Sequence, residues 1–169
     1  QSPWYREYRL IEDHFARINT VMTRGTPDVR IAVIHPIESY WINYGPADQT
    51  GAHRSAIGDR FQELTNWLLF GLQDFDFISE SLLPAQYQES DQDFVIGEMK
   101  YKTVIVPYLD TIRSTTLNAL KKFRKSGGEV IFMGNAPKYV DAIPSEDADN
   151  FAKECKIIPW SDVALLNAI

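Results

Sequence analysis

Residues 101–137 read YKTVIVPYLDTIRSTTLNALKKFRKSGGEVIFMGNAP, and this stretch decides the fold class. The continuous apolar run Thr103–Val106 predicts a strand that is buried on both faces. A helical pattern follows, with Ser114 or Thr115 as the predicted N-cap, and Val130–Met133 predicts a second apolar strand. Two such strands joined through a helix predict a parallel sheet with a right-handed crossover.

The predicted helix between these strands is amphipathic. Basic side chains between Lys121 and Lys125 lie on its outer face and in its last turn. The run Ser126-Gly127-Gly128 ends the helix, because a glycine readily adopts the left-handed conformation at a helix C-terminus. The apolar stripe, which we expect to pack on the sheet, consists of Leu117, Ala119, Leu120 and Phe123.

The rest of the chain alternates between short apolar strands and helices. Further strands are predicted at Arg30–Ile34, Phe75–Ile78, Phe94–Ile96 and Ile157–Ile158, and further helices at 5–24, 56–72, 147–155 and 161–167. This alternation is typical of α/β domains, so we predict a three-layer sandwich with a mainly parallel sheet. We interpret residues 1–27 as an N-terminal connector helix, whose aromatic face needs a covering surface, and residues 28–169 as a single α/β domain.

Composition narrows the classes of partner. The chain has 169 residues and a formal net charge of -6, which argues against nucleic acid or an anionic membrane surface as the main partner. No apolar run approaches the roughly 20 residues that cross a membrane. Because Cys155 is the only cysteine, no internal disulfide is predicted. The chain opens with Gln1, without an initiator Met or a signal peptide, so we expect an excised domain and predict no compartment.

The sequence lacks the usual motifs for covalent catalysis, cofactors and metals. Cys155 lies in NFAKECKI, without the glycines of a nucleophile elbow, and we interpret it as a helix residue with no catalytic role. His35 and His53 form too weak a pair to predict a metal site. No glycine-rich phosphate-binding pattern occurs. We therefore predict no cofactor, no metal and no catalytic residue.

Candidate site residues follow the predicted strands at their carboxyl ends, where open α/β sheets bind ligands. Residues 37–55 are predicted to form a long irregular loop, and such loops are often functional. The candidate ligand or interface residues are Glu38, Tyr40, Trp41, Tyr44, Tyr108 and Asn135. Our hypothesis is that Glu38 and Trp41 line a ligand crevice. Ser79-Glu80 also lies at a predicted carboxyl end, while most of the plentiful acidic residues are interpreted as surface charge.

Two stretches of this chain resemble a known family. Residues 3–41 read PWYREYRLIEDHFARINTVMTRGTPDVRIAVIHPIESYW. They resemble the passage, in large bacterial glycoside hydrolases of the β-galactosidase and α-L-rhamnosidase kind, that leaves the catalytic barrel through a helix and enters an amidotransferase-like domain. The stretch 101–137 is similar to the core of that same domain. The similarity extends from Trp4 to about Pro137.

The resemblance implies a class I glutamine amidotransferase-like, or flavodoxin-like, domain that lacks the Cys-His-Glu triad. It implies contacts with an upstream catalytic barrel domain and with like subunits, and a reach toward a carbohydrate site. The catalytic carboxylates of these enzymes belong to the barrel, so none carries over to this chain. Two alternatives stay open. One is a stand-alone hydrolase using Cys155 or a carboxylate, and the other is a carbohydrate-binding module acting through Tyr40, Trp41 and Tyr44.

Overall fold

A five-stranded, all-parallel sheet forms the centre of the structure, a computed structural model that describes residues 3–169. Its strands are β1 (Ile31–Ile34), β2 (Phe75–Ile78), β3 (Thr103–Val106), β4 (Glu129–Met133) and β5 (Lys156–Ile158). They lie in the order β2-β1-β3-β4-β5, which is compatible with a flavodoxin-like layout. The strand order reverses between β1 and β3, so these neighbours mark the topological switch point of the sheet.

The predicted strands are confirmed to within one residue at their ends. Every residue of β1 and β3 is buried, as the continuous apolar runs predicted. Ile31 of β1 pairs with Thr103 of β3 on one side and with Phe75 of β2 on the other. The sheet is fully parallel, because each connection between its strands passes over a face of the sheet instead of turning back as a hairpin.

Seven α-helices lie in the described residues. They are α1 (Tyr8–Met22), α2 (Ile37–Ile42), α3 (Ala47–Phe70), α4 (Leu83–Gln86), α5 (Ser114–Lys125), α6 (Asp147–Ala152) and α7 (Asp162–Leu166), with a 3-10 turn at Tyr5–Glu7 before α1. Helices α3 and α7 cover one face of the sheet through Leu64, Leu68 and Leu165. Helices α5 and α6 cover the opposite face through residues such as Leu120 and Phe151. The predicted three layers are therefore present.

Helix α1 differs from the others because it has no buried residue. The predicted N-terminal helix is present over Tyr5–Met22, while its role as a connector stays a prediction and Gln1 and Ser2 lie outside the described residues. Every residue from Pro3 to Asp28 is exposed, and the chain first becomes partly buried at Val29. Helix α1 thus lies outside the core that the sheet and the other helices enclose.

Two small sheets lie outside the central sheet, one next to the amino end of β3 and one after its carboxyl end. One is antiparallel and joins Tyr87–Gln88, Phe94–Ile96 and Met99–Tyr101. The other joins Thr111–Ile112, Tyr139–Val140 and Ile143–Pro144. Only the strand at Phe94–Ile96 was predicted from the sequence. The others are two or three residues long, which is too short for a strand periodicity to be recognised.

The predicted loop over residues 37–55 is wrong. Residues Ile37–Ile42 form α2, and α3 begins at Ala47, with Pro46 as its N-cap residue. The pair Thr50-Gly51, which falls within the predicted loop, lies inside α3. A Cβ atom at Gly51 would meet only the Cβ of Ala47, at 3.8 Å. No turn requires a glycine here, and the helix tolerates one.

The ends of two other helices differ slightly from the prediction. Helix α5 begins at Ser114 and its N-cap is Arg113, one residue before the predicted cap, because carboxylates from elsewhere in the chain bind its first amides. Its C-terminus is confirmed, with Gly127 at φ +97°. Helix α6 ends at Ala152, so Cys155 lies in the turn that follows and not in the helix.

Candidate functional site

The candidate site lies at the switch point, where the segments that follow β1 and β3 meet. Ser39 of α2 is fully buried there, and its hydroxyl accepts hydrogen bonds from the backbone N–H groups of Asp110 (3.0 Å) and Thr111 (3.1 Å). The same hydroxyl donates to the carbonyl oxygen of Thr111 (3.2 Å). One serine therefore holds the segment after β1 against the segment after β3.

A short ion pair lines a cavity beside this serine. The Nε and Nη2 atoms of Arg113 both donate to Oε1 of Glu38, at 2.8 and 2.7 Å. This hydrogen bonding raises the pKa of the Arg113 guanidinium. The cavity has a volume of about 250 Å³ and is lined by Glu38, Ile42, Thr111, Arg113, Asp141 and Ala142. The structure thus places one of the predicted site residues, Glu38, in a cavity at the switch point.

Glu80 lies directly behind Arg113 and is only 1% exposed. Its Oε2 accepts a hydrogen bond from the backbone N–H of Arg113 (2.8 Å), and its Oε1 has no hydrogen-bond partner within the described part of the chain. Burial raises the pKa of Glu80 to about 7, although the Arg113 N–H and the nearby Thr116 hydroxyl oppose this shift. Glu80 follows β2 at its carboxyl end, as predicted, and it is buried because the chain turns inward there and brings this carboxyl to α5.

The opposite wall of the cavity is a turn with unusual backbone angles. Asp141 and Ala142 have φ values of +51° and +62°, as the two central residues of a type I′ turn require. The N–H of Ala142 donates to Oγ1 of Thr111 (3.0 Å), which holds the turn against the segment after β3. A hydrogen bond from Ser114 lowers the pKa of Asp141. Asp141 therefore adds a second carboxylate to the cavity.

A histidine–aspartate pair lies on the other side of Ser39. His53 Nε2 is 2.6 Å from Oδ2 of Asp110, and the same oxygen accepts a hydrogen bond from Asn43 Nδ2 at 2.6 Å. His35 lies elsewhere, edge-on against Phe61, and burial lowers its pKa. Residues 3–169 contain no group of three or more histidine, cysteine or acidic residues arranged to hold a metal. Asp110 is therefore an acceptor in this network.

The aromatic candidates lie along the outer surface of the same region. The Arg54 guanidinium is 4.8 Å from the ring centroid of Tyr44 and 5.7 Å from that of Tyr40. Arg60 lies over Tyr108 at 3.9 Å. Trp41 is 60% exposed and does not line the cavity that contains Glu38. The structure thus separates the two residues of the hypothesised crevice, although both belong to α2.

Asn135 belongs to a different cleft. It follows β4 and lies in a depression of about 810 Å³ whose floor and walls are Gly134, Asn135, Ala136, Pro137, Lys138, Pro144, Ser145, Glu146, Asp149, Lys153 and Ile157. The walls carry lysine and acidic side chains but no aromatic ring. The structure therefore does not bring Asn135 together with the residues at the switch point.

Cys155 lies in an environment that disfavours a nucleophile. The residue is half-buried, and burial raises the pKa of its thiol to about 11, a shift that Arg124 opposes and Glu154 reinforces. At neutral pH the thiol is protonated, whereas the thiolate is the reactive form. This environment argues against thiol catalysis.

Sequence reasoning missed several members of the switch-point network. These are Ser39, Asp110, Arg113 and Asp141, together with the burial of Glu80. One signal pointed to two of them, because Asp110 and Arg113 follow β3 within seven residues and so lie at the carboxyl end of a central strand. No sequence signal brings Asp141 to this place, since it arrives with a short strand pair from after β4.

Comparisons with known proteins return no match. No protein-family model, no curated protein and no solved structure is significantly similar to this chain. Within residues 3–169, no helix combines the length and the apolar composition that crossing a bilayer requires.

Proposed function

We propose that this chain is a non-catalytic, class I glutamine amidotransferase-like accessory domain of a multidomain glycoside hydrolase. In this proposal it mediates contacts with an upstream catalytic barrel and with like subunits, and it helps to shape the edge of a carbohydrate site. The observation that carries the proposal is the uncovered apolar face of α1. The family resemblance over residues 3–41 and 101–137 supports the kind of parent protein.

The exposed face of α1 is unusual for a stable protein surface. Large apolar side chains lie along one side of the helix, and none of them is buried: Tyr8, Ile11, Phe15, Ile18 and Met22 are all at least 41% exposed. An isolated helix of this length is marginally stable in water, and most helical stability comes from packing of an amphipathic face. Contiguous exposed apolar surface commonly marks a site of protein interaction. Helix α1 is therefore the contact surface of the proposed module.

The polar groups at the switch point support a structural role over a catalytic one. The Ser39 hydroxyl is fully engaged with the backbone, and Glu38 is paired with Arg113. A nucleophile needs an adjacent general base to be activated. His53 is instead bonded to Asp110, while Ser39 bonds to backbone atoms. These pairings hold loops together and leave no nucleophile–base couple among the residues named.

Two experiments test this proposal. The purified 1–169 chain, assayed with aryl β-galactosides and aryl α-L-rhamnosides, should release no aryl alcohol above the buffer rate. An enzyme-like rate that is lost in His53→Ala or Glu38→Gln would favour the stand-alone hydrolase. Sequencing of the gene upstream of residue 1 should reveal a barrel-coding region in the same reading frame, and an in-frame stop codon at that place would overturn the accessory role.

A carbohydrate-binding module is the second candidate, and exposed rings favour it. Trp41 and Tyr44 project from the end of α2 and the turn after it, with Arg54 against the Tyr44 ring. Titration with galactose- and rhamnose-containing oligosaccharides, followed by tryptophan fluorescence, should reveal binding that Trp41→Ala and Tyr44→Ala abolish. Trp160→Phe is the matched control, because Trp160 packs on Trp67 away from this surface. A flat titration would remove this candidate.

A further inference from the structure

We propose that α1 pairs in antiparallel orientation with α1 of a second copy of this chain, about a two-fold axis near Asp13. The inference rests on the proposed function, in which α1 is the contact surface, and it names the partner. Two properties of the helix carry it: the spacing of its exposed apolar residues, and their sizes.

The apolar stripe has the spacing of a helix that packs on another helix. It consists of Tyr8, Ile11, Phe15, Ile18 and Met22 of α1 and of Trp4, which lies just before the 3-10 turn, and these residues follow one another at steps of four, three, four, three and four residues. This alternation is the heptad pattern, in which side chains of one helix insert between side chains of a facing helix. All six side chains are at least 41% exposed. A helical partner therefore fits this face better than a flat one.

The stripe is also symmetric about its centre. Ile11 and Phe15 each lie two residues from Asp13, Tyr8 and Ile18 lie five residues from it, and the outermost pair, Trp4 and Met22, lies nine residues from it. A two-fold axis at Asp13 therefore brings every stripe residue opposite a stripe residue of the second helix. Isologous dimers require this self-complementarity of one surface.

The sizes of the paired side chains favour the antiparallel arrangement. Each layer of the antiparallel pair combines one aromatic and one aliphatic side chain: Phe15 faces the partner's Ile11, Tyr8 faces the partner's Ile18, and Trp4 faces the partner's Met22. A parallel pair would instead stack each aromatic residue on its own copy and alternate wide and narrow layers. Layers of equal volume keep the distance between the two helix axes constant along their length. The antiparallel pair therefore packs more evenly than the parallel pair.

The charges of the helix do not decide the orientation. Asp13 lies at the axis, residues 4–12 carry two acids (Glu7 and Glu12) and two arginines, and residues 14–22 carry only Arg17. Glu12 flanks the stripe near the axis and faces its own copy, which is unfavourable. Glu12→Gln should therefore strengthen the pair.

The contact is small, so the expected dimer is weak. Helix α1 has 15 residues and is about 22 Å long. Two copies bury on the order of 1,000 Å², the lower limit for a specific interface, and weak complexes lie at this end of the size range. Nothing in the described core competes for this face, since every residue from Pro3 to Asp28 is exposed.

Sedimentation equilibrium of the 1–169 chain over about 1–300 μM tests self-association. The chain should pass from monomer to dimer, and Ile11→Asp or Ile18→Asp should weaken the dimer by about 10-fold or more, because each places a charge in an apolar layer. Leu10→Asp is the matched control. Leu10 is 67% exposed but lies roughly 120° around the helix from the stripe, so this change should leave the dimer intact. Circular dichroism should show that each variant keeps its helix.

Cysteine cross-linking in a Cys155→Ser background tests the orientation. His14→Cys lies beside the axis and should form a disulfide-linked dimer on oxidation with diamide. Ile18→Cys should not, because two copies of residue 18 lie about 15 Å apart in the antiparallel pair, whereas they would face each other in a parallel pair. Efficient cross-linking through residue 18 would show a parallel pair and overturn the proposal. A strictly monomeric chain would also overturn it, and the accessory function would still stand if Ile11→Asp disrupted docking within the parent protein.

Discussion

The carboxylate of Asp141 accepts a hydrogen bond of 2.9 Å from the backbone N–H of Ser114, the first residue of α5. Asp141 follows Ser114 by 27 residues, so this cap comes from a distant part of the chain. Glu80 binds the preceding N–H, that of Arg113, from the other side. The N-cap residue itself contributes no side-chain hydrogen bond. Two distant carboxylates therefore replace the local cap that Ser114 or Thr115 was predicted to supply.

Removal of the Asp141 carboxylate should destabilise the domain. We expect Asp141→Ala to lower the free energy of unfolding by about 1–2 kcal/mol, because an N-cap is lost and alanine tolerates a positive φ less well than aspartate. Asp141→Asn keeps an acceptor oxygen and should lose less. Urea denaturation at pH 7 measures both. Asp149→Ala, which removes only an exposed ion pair with Lys153, should change stability by less than about 0.5 kcal/mol.

Glu80 should make the domain less stable at alkaline pH than at acidic pH. Its pKa is raised from 4.5 to about 7, so the folded state binds this proton more tightly than the unfolded state does. The contribution of the protonated carboxyl is fully present below pH 4.5 and is lost as the pH rises through about 7. The loss is on the order of 3 kcal/mol at most.

The variant Glu80→Gln tests this linkage because it resembles the protonated carboxyl and keeps an acceptor for the Arg113 N–H. We expect it to be close to wild type in stability at pH 5 and to be more stable than wild type at pH 8, by about 1–3 kcal/mol. Urea denaturation curves at both pH values provide the comparison. An equal effect of the substitution at pH 5 and pH 8 would show that Glu80 does not titrate in this range.

The ion pair between Arg113 and Glu38 should have a measurable coupling energy. Their side chains are 40% and 15% exposed, and both hydrogen bonds reach one carboxylate oxygen. A double-mutant cycle with Glu38→Gln and Arg113→Gln should give a coupling of about 1 kcal/mol, reduced at high salt. The pair Lys122–Glu89 is the control. Its side chains are more than half exposed, so its coupling should stay below about 0.5 kcal/mol.

Substitution by alanine should have opposite effects on the stability of the domain at two of its glycines. A Cβ atom at Gly128 would overlap the buried ring of Phe123, so Gly128→Ala should destabilise the domain by about 2–3 kcal/mol. Gly58 lies inside α3 with open space around it, so Gly58→Ala should stabilise by about 0.5–1 kcal/mol. Thermal unfolding of the three proteins in one buffer compares them. If Gly128→Ala were more stable than wild type, Gly128 would not pack closely against the ring of Phe123.

The central sheet was predictable because its strands are short, continuous and apolar. Thr103–Val106 and Val130–Met133 are buried in the structure as their sequences predicted, and the helix between them packs its stripe inward. The start of α3 was not predictable in the same way. Glycine and proline cluster before residue 58 as they do in turns, but tertiary packing of Ile57 and Leu64 extends the helix backward through them.

The sequence predicted where the switch-point network lies, but it did not predict which residues form it. The carboxyl ends of β1 and β3 identified the region, and Glu38 was among its named candidates. Asp141 and Glu80 reach it from a tight turn and from the end of β2, and only three-dimensional contacts reveal such meetings. The sequence alone does not distinguish a buried glutamate from an exposed one. The raised pKa of Glu80 therefore follows from the fold and not from the local sequence.

The two carboxylates at the start of α5 also define which ligands suit this edge of the sheet. Free amides at a helix N-terminus attract phosphate, and sheets with this strand order use the switch point for phosphorylated cofactors. Here the first amides of α5 already donate to Glu80 and Asp141. A phosphate at these two amides would have to displace Glu80 and Asp141, and the charge of Arg113 is already paired with Glu38. We therefore expect this edge to bind neutral compounds in preference to phosphates, and neutral compounds are the ligands to screen.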